Sequence, residues 1–347
     1  MGLEYDSFVI EELKRVYGSY INTFLQSLRT PNLRLYVRVN TIKITSEKLA
    51  ERLNYFRMDE DLPEALYVEV KGPHKVDIKD TIVIVDKRAA ESAMLGAYVY
   101  KPGIKKVIGK KNEVTVVAED GTAVAEGILR NDKIIITRSL YYTPPLAETE
   151  EFKEGLFYIQ EKPSMYVARL VDPKPNEIIV DMNCAPGGKL THLYQLEPRA
   201  RIIGVDRTKN KISKTKELLN RLDIKSDNIK IIQGDSRYLY EDYGIRNVDK
   251  VIIDPPCSAL GIRPKIFDKK SKDDLLKLSL YQKQFINAAY KILKPNGILV
   301  YSTCTVTFLE NEEIINDPRF EIEEIIRFHT FVHNTPGYFI AKLRKRH

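Results

Sequence analysis

Four apolar runs in the second half of the chain each end in an acid. They are Ile178-Ile179-Val180-Asp181, Arg201-Ile202-Ile203-Gly204-Val205-Asp206, Ile231-Ile232-Gln233-Gly234-Asp235 and Val251-Ile252-Ile253-Asp254. Continuous apolar runs of this length read as strands buried on both faces, the habit of parallel sheets sandwiched between helices. A fifth run, Ile298-Leu299-Val300-Tyr301, leads into Ser302-Thr303-Cys304-Thr305. Strands that alternate with helices predict an α/β, doubly wound sheet. Ligands of such sheets bind outside the carboxyl ends of the strands. The acids therefore converge on one edge. Two cysteine-bearing turns, Asp254-Pro255-Pro256-Cys257-Ser258 and Ser302-Thr303-Cys304-Thr305, are expected to face each other there across one pocket. Pro255 and Pro256 stiffen the first turn.

Asn183-Cys184-Ala185-Pro186-Gly187-Gly188-Lys189 follows the first run as a Gly-rich turn that opens a helix. Glycine lets the backbone approach a ligand, and an acid ending the second strand can bind ribose hydroxyls. The dinucleotide fingerprint G-x-G-x-x-G is absent, which disfavours NAD. S-adenosylmethionine suits the layout. All three cysteines, Cys184, Cys257 and Cys304, sit at predicted strand ends. A single such cysteine commonly acts as a small hydrophobe, but the clustering favours chemistry. No C-x-x-C spacing or accompanying histidine points to a metal. A small, odd cysteine count in a long chain argues against a disulfide scaffold.

From Phe152 to the C-terminus the chain resembles the RNA cytosine carbon-5 methyltransferases of the Sun (Nop/Fmu) family. The resemblance rests on Phe152-Lys153-Glu154-Gly155 through Gln160-Glu161-Lys162-Pro163-Ser164, on Cys184-Ala185-Pro186-Gly187-Gly188-Lys189, on the two cysteine turns and on Glu310-Asn311-Glu312-Glu313. Gly261-Ile262-Arg263-Pro264 is most similar to the branch that carries an inserted PUA domain and methylates tRNA near its 3′ end. Asn183-Cys184 stands where the family usually has Cys-Ala, Leu190 where it has Thr, and Ala259 where Gly is common. The resemblance implies a Rossmann-like S-adenosylmethionine methyltransferase domain. It makes Cys304 the nucleophile that adds to carbon 6 of cytosine, activating carbon 5 toward a methyl sulfonium. Cys257 takes part in release, and Asp254, with Lys189 close by, holds the cytosine edge. Asn183, Cys184, Ala185, Pro186, Gly187, Gly188, Lys189, Asp206, Lys211 and Asp235 form the implied cofactor set, with Asp206 on the ribose, Lys211 near it and Asp235 on the adenine amine. The target base must leave its stack, which favours ends, loops and frayed pairs.

The 347 residues suggest two or three domains. Residues 1–70 read as a small α+β module, with helical spacing at Val9-Ile10-Leu13-Val16-Tyr17 and a strand over 35–41. Arg38 and Asn40 stand either on a solvated strand face or, as the resemblance implies, in an RNA-binding module. Residues 71–151 change to short strands at 81–85, 97–100, 113–117 and 123–127 with turn signals between them, a small β-barrel pattern. Gly96-Ala97-Tyr98-Val99-Tyr100-Lys101-Pro102-Gly103-Ile104 resembles the signature of PUA domains. Five lysines and no acid lie between Lys101 and Lys111, a basic loop suited to phosphate contact. Residues 152–347 form the methyltransferase domain. There, Tyr281–Tyr290 is read as a helix that packs on the sheet, Gly337–Ala341 as the last strand and Lys342–Arg346 as a basic tail.

No stretch approaches the roughly 20 apolar residues of a membrane span, and no signal peptide is evident. A soluble, cytoplasmic monomer without a metal is expected. A net charge of +7 favours a polyanionic partner, and the resemblance implies that it is tRNA, with its acceptor stem and CCA end. The abundance of Lys, Glu and Ile with no Trp leans toward a thermophile. The competing functions are a 5-methylcytidine methyltransferase of rRNA, an exocyclic-amine methyltransferase, a DNA enzyme, and a PUA-type RNA-binding protein with an inert transferase fold. Exocyclic-amine enzymes follow Asp-Pro-Pro with a stacking aromatic, and Cys257 takes that place.

Overall fold

A computed structural model describes residues 2–346. Its centre is a seven-stranded sheet. We label its strands β1 (Ile178–Asp181), β2 (Arg201–Asp206), β3 (Ile229–Gln233), β4 (Val248–Ile253), β5 (Leu293–Thr303), β6 (Phe320–Phe328) and β7 (Tyr338–Lys345). The spatial order is β3-β2-β1-β4-β5-β7-β6. The first five run parallel, and β7 is antiparallel to both β5 and β6. This is the expected doubly wound, Rossmann-like fold.

The apolar runs are buried on both faces for a simple reason. Side chains alternate across a strand. Val180, Val251, Ile253, Leu299 and Tyr301 face one core. Ile179, Ile252, Ile298 and Val300 face the other. Helix α1 (Lys162–Val171) and helix α2 (Gly188–Leu196) cover the second core. Helix α3 (Lys209–Arg221) follows β2. Helix α4 (Lys272–Ile292) covers the first core through Phe285, Ile286 and Ala289. Each such fully buried side chain is worth about 1.5–3 kcal/mol relative to exposure. Helix α4 starts well before Tyr281 because Ser271 and Asp274 form a reciprocal capping box.

A six-stranded sheet occupies the region expected as a barrel, with strands at Thr81–Val85, Val99–Tyr100, Ile104–Ile108, Glu113–Ala118, Ala123–Leu129 and Lys133–Ser139. The lysine-rich stretch is therefore only partly a loop. Ile104–Ile108 is an edge strand that pairs with Thr81–Val85, and Lys105 and Lys106 are exposed on it, while Lys110 and Lys111 lie beyond it. Its side chains do not alternate between buried and exposed, which hid the strand from sequence reading. Lys111 meets Asp80 at 2.5 Å.

Between these bodies lies a four-stranded sheet in the order Phe157–Ile159, Arg34–Val39, Ala65–Glu69, Arg57–Met58. Arg38 and Asn40 are buried there, at 1% and 3% exposure, so they are neither solvated nor free for RNA. The Arg38 guanidinium donates to Gln160 Oε1 and the Gly188 carbonyl, at 2.6 and 2.5 Å, and to Thr191 Oγ1 at 2.8 Å. Asn40 Nδ2 donates to the carbonyls of Gly155 and Leu222, both at 3.0 Å. They lock the small sheet to the methyltransferase segment. The N-terminal helix Ser7–Tyr17 packs on that segment too, with Val9 and Leu13 against Leu260, Leu275 and Val306. Residues 342–345 continue β7 rather than forming a tail, and Lys342 and Arg344 pair with Glu323. Among the described residues no helix is long and apolar enough to cross a membrane.

Candidate active site

β4 and β5 are parallel neighbours in a register that pairs Ile253 with Tyr301. The next residues, Asp254 and Ser302, therefore emerge side by side, and the two cysteine turns follow. Cys257 Sγ and Cys304 Sγ lie 3.2 Å apart, both partly exposed. The Cys304 sulfur, through its hydrogen bond, and then burial push the Cys257 thiol well above its ordinary range.

Asp254 is held from three sides. Lys189 Nζ donates to Oδ2 at 2.5 Å, while Ser302 Oγ and the Tyr338 hydroxyl donate to Oδ1 at 3.1 and 3.3 Å. Burial disfavours the Lys189 ammonium, but Asp254 and Tyr338 outweigh it and hold its proton affinity above the ordinary value. Lys189 therefore keeps its proton near neutral pH.

Two clefts meet at Asp254 and Cys304. One, about 360 Å³, is lined by Asn183, Ala185, Asp206, Lys211, Asp235 and Cys257 as well. The other, about 270 Å³, is lined by Glu161, Cys184, Pro186, Gly188, Lys189 and Tyr338. Asn183 and Ala185 touch both. The expected cofactor set is thus divided between two cavities. Gly187, at φ +110°, lines neither, and a Cβ there would press on Thr215 and Leu218 at 3.2 Å. Its freedom serves helix packing. Cys184 is 3% exposed within the core under α2, and burial pushes its thiol up. A larger groove of about 670 Å³, along Thr41–Thr45 and Lys48–Arg52, carries none of these thiols or strand-end acids.

The first cleft has the donors and acceptors that a nucleoside needs. Asp206 ends β2, takes the Thr208 N–H at 3.2 Å and has Lys211 Nζ at 3.7 Å. Asp235 is gripped by Arg237, through Nε at 2.9 Å and Nη2 at 2.5 Å, and that hydrogen bonding lowers its pKa. Asn183 Oδ1, at the wall both clefts share, and Asp181 Oδ2, on the second cleft, are buried polar atoms without a hydrogen-bond partner in the structure. Burial pushes the Asp181 carboxyl up to about 7, against the pull of Lys189. Orphaned acceptors at a cleft wall are what a bound amine or hydroxyl would satisfy. The residues present therefore fit S-adenosylmethionine.

Sequence reading missed several residues that the fold brings in. Tyr281 and Phe285 of α4 line the first cleft as well as packing on the sheet. Arg237 lies over the Tyr281 ring, 4.8 Å from its centroid. Glu161 faces the second cleft, and burial pushes it up to about 7. Glu310 is fully buried and anchors the Cys257 turn. It accepts from Ser258 N at 2.8 Å, Ser258 Oγ at 2.5 Å and Gln282 Nε2 at 3.0 Å. The Glu310-Asn311-Glu312-Glu313 motif was visible in sequence, but its burial was not.

A model described as 16S rRNA methyltransferase RsmB/F matches residues 168–334, and a PUA domain model matches 81–139. A tRNA (cytosine(72)-C(5))-methyltransferase of Pyrococcus horikoshii is 36% identical over 99% of each chain. The human tRNA (cytosine(72)-C(5))-methyltransferase NSUN6 is 28% identical, covering 84% of this chain and 73% of that protein. Among solved structures, the crystal structure of NSun6 from Pyrococcus horikoshii with SFG superposes with a TM-score of 0.91 at 36% identity, covering 98% of each chain. The strand order, the paired cysteine turns and this full-length likeness lead to one conclusion: the chain belongs to the RsmB/F (Sun) family of S-adenosylmethionine-dependent methyltransferases and carries a PUA domain between its N-terminal and catalytic segments.

Proposed function

We propose that this protein methylates carbon 5 of a cytidine in the acceptor stem of tRNA, near the CCA end, through a covalent Cys304–cytosine adduct. The observation that carries the reading is the Cys257–Cys304 pair at 3.2 Å, beside the Asp254–Lys189 ion pair where the two clefts meet. The acid-lined cleft holds the cofactor, with Asp206 and Lys211 at the ribose, Asp235 at the adenine side and the 183–189 turn between the clefts. The second cleft holds the flipped base. The rRNA reading draws on the description of the family model and on relatives named ribosomal RNA small subunit methyltransferase B, which match 47% to 66% of the chain. The relatives that match more of the chain are named for tRNA, and this favours tRNA. In this reading the protein is a cytoplasmic monomer, and Lys105, Lys106 and Lys110 of the PUA domain meet phosphates.

The chain's own groups account for the remaining steps. Asp254, clamped by Lys189, Ser302 and Tyr338, orients the pyrimidine edge. The Cys304 thiolate forms a bond to carbon 6, and the electron pair of the 5,6 double bond moves into the ring, making carbon 5 nucleophilic. Bound S-adenosylmethionine supplies the electrophilic methyl group. With the Cys304 sulfur bonded to carbon 6, Cys257 in its thiolate form lies in place to take the carbon-5 proton and become a thiol. The electrons of that C–H bond restore the double bond, and Cys304 leaves as thiolate.

The test is methyl transfer from labelled cofactor to tRNA transcripts with and without CCA, and to rRNA. One acceptor-stem cytidine should be modified, and removing CCA should abolish the signal. Full activity on CCA-less tRNA, or on rRNA alone, would overturn the reading.

A further inference from the structure

Gly261-Ile262-Arg263-Pro264 marks a branch by sequence, but the proposed reaction gives it no role. Its surroundings do. The Gly261 N–H donates to the Cys304 carbonyl at 3.0 Å, and the Gly261 carbonyl accepts from Gly337 N at 2.8 Å. A Cβ at Gly261 would lie 2.0 Å from the Gly337 carbonyl oxygen, so this contact is backbone on backbone. Ile262 lines the second cleft. Arg263 then staples the strap to the N-terminal segment. It donates to the carbonyls of Thr30, Pro31 and Thr330 at 2.7, 2.8 and 2.9 Å.

Three residues further on, the chain leaves the catalytic body. Ile266, 3% exposed, is a member of the PUA core beside Val83, Val85 and Val116. Its N–H donates to Glu91 Oε1 at 3.2 Å. Lys87 of the PUA domain meets Asp268 at 2.8 Å and lies over the Phe267 ring at 5.6 Å. Asp268 also accepts from the Tyr5 hydroxyl at 3.1 Å and pairs with Lys265 at 3.0 Å. One short strap thus runs from the backbone of the attacking cysteine to the interior of the RNA-binding domain. Ile266 is five residue steps from Gly261, so the two anchors lie within roughly 18 Å.

We propose that the 261–268 strap is a ruler that fixes the distance and angle between the PUA domain and the base cleft, and so decides which nucleotide of a docked RNA reaches Cys304. Ile266 and Asp268 are its positioning residues. The inference rests on the reading that the PUA domain holds the RNA and Cys304 attacks it. It is a geometric claim and needs no signal passed between sites.

The test compares wild type with Ile266→Ala, Asp268→Asn and Lys87→Met, the last altering only the PUA side. Substrates are tRNA transcripts with cytidines on both sides of the wild-type target. Cofactor and RNA dissociation constants should stay within about threefold. At saturating RNA the single-turnover rate at the target should fall about tenfold or more, and methyl groups should spread to neighbouring cytidines. Ile266→Val should restore a single site. Folded variants that modify the same single cytidine at the wild-type rate overturn the ruler. So does a uniform rate loss with unchanged position, which marks a merely structural role. If wild type itself modifies no single tRNA cytidine, the underlying functional reading fails instead.

Discussion

The two clefts that meet at Cys304 are built in opposite ways. Apart from Cys304, which both clefts share, the acid-lined cleft draws its strand-end groups from one stretch, Asn183 to Cys257, at consecutive strand ends of one sheet. The second draws on distant parts: Glu161 beside the small sheet, Lys189 on α2, Ile262 on the strap, and Pro336 and Tyr338 near the C-terminus. Its carboxylate Glu161 is bonded to Asn32 Nδ2 at 3.2 Å, from the N-terminal segment. A cleft on one sheet edge repeats a layout that any nucleoside-binding sheet can offer. A cleft assembled from several bodies can be specific for one substrate, because each body constrains one wall. On the proposed assignment of the clefts, cofactor use is generic in this molecule and RNA choice is composite.

The largest effects should come where the clefts meet. Cys304→Ala should abolish methyl transfer and leave RNA bound without an adduct, with cofactor affinity intact. Cys257→Ala should still attack and transfer, then stall with RNA attached. On a denaturing gel it should carry a shifted, protease-sensitive RNA band, which the double variant should lack. The reverse pattern would make Cys257 the nucleophile.

A matched pair of variants then sharpens the contrast between the walls. Asp206→Ala removes a charge-assisted bond worth about 1.5–3 kcal/mol. Cofactor affinity by calorimetry should drop roughly tenfold to a hundredfold, with RNA affinity unchanged. Tyr338→Phe removes one donor from Asp254, worth about 0.5–1.5 kcal/mol. It should slow turnover several-fold and leave cofactor affinity alone. Equal effects of both variants on cofactor binding would break the division of labour.

The smallest effect concerns the joint that builds the composite wall. His192 of α2 is fully buried, with Nε2 2.8 Å from Glu64 Oε1, and Arg169 also bonds that carboxylate. Burial pulls the imidazole down to about 4, with Arg38 and Arg169 adding to the shift against the pull of Glu64. A depressed folded pKa gives stability that is present above the free value of about 6.5 and lost as pH falls through about 4. Wild-type Tm should therefore fall more between pH 7 and 4 than that of His192→Gln. Parallel Tm profiles would remove His192 from the account.

The amino-acid sequence alone determined the sheet, because buried parallel strands need unbroken apolar runs and these are local. It also determined the acids and thiols at the strand ends, since a strand's end follows from where its run stops. Local pattern was blind to what distant segments do together. Arg38 and Asn40 looked like surface or RNA-facing groups, yet they bond the backbone at Gly155, Gly188 and Leu222. Glu310 was one acid in an exposed-looking run, yet it is buried under the Cys257 turn. Lys105 and Lys106 read as a loop because Ile104-Lys105-Lys106-Val107-Ile108 lacks the alternation that marks a strand. Ile266 gave no sign of belonging to a domain more than a hundred residues earlier in the chain. A buried charge or a borrowed core residue is stable only with partners in place, and those partners are chosen by tertiary packing rather than by neighbours in sequence.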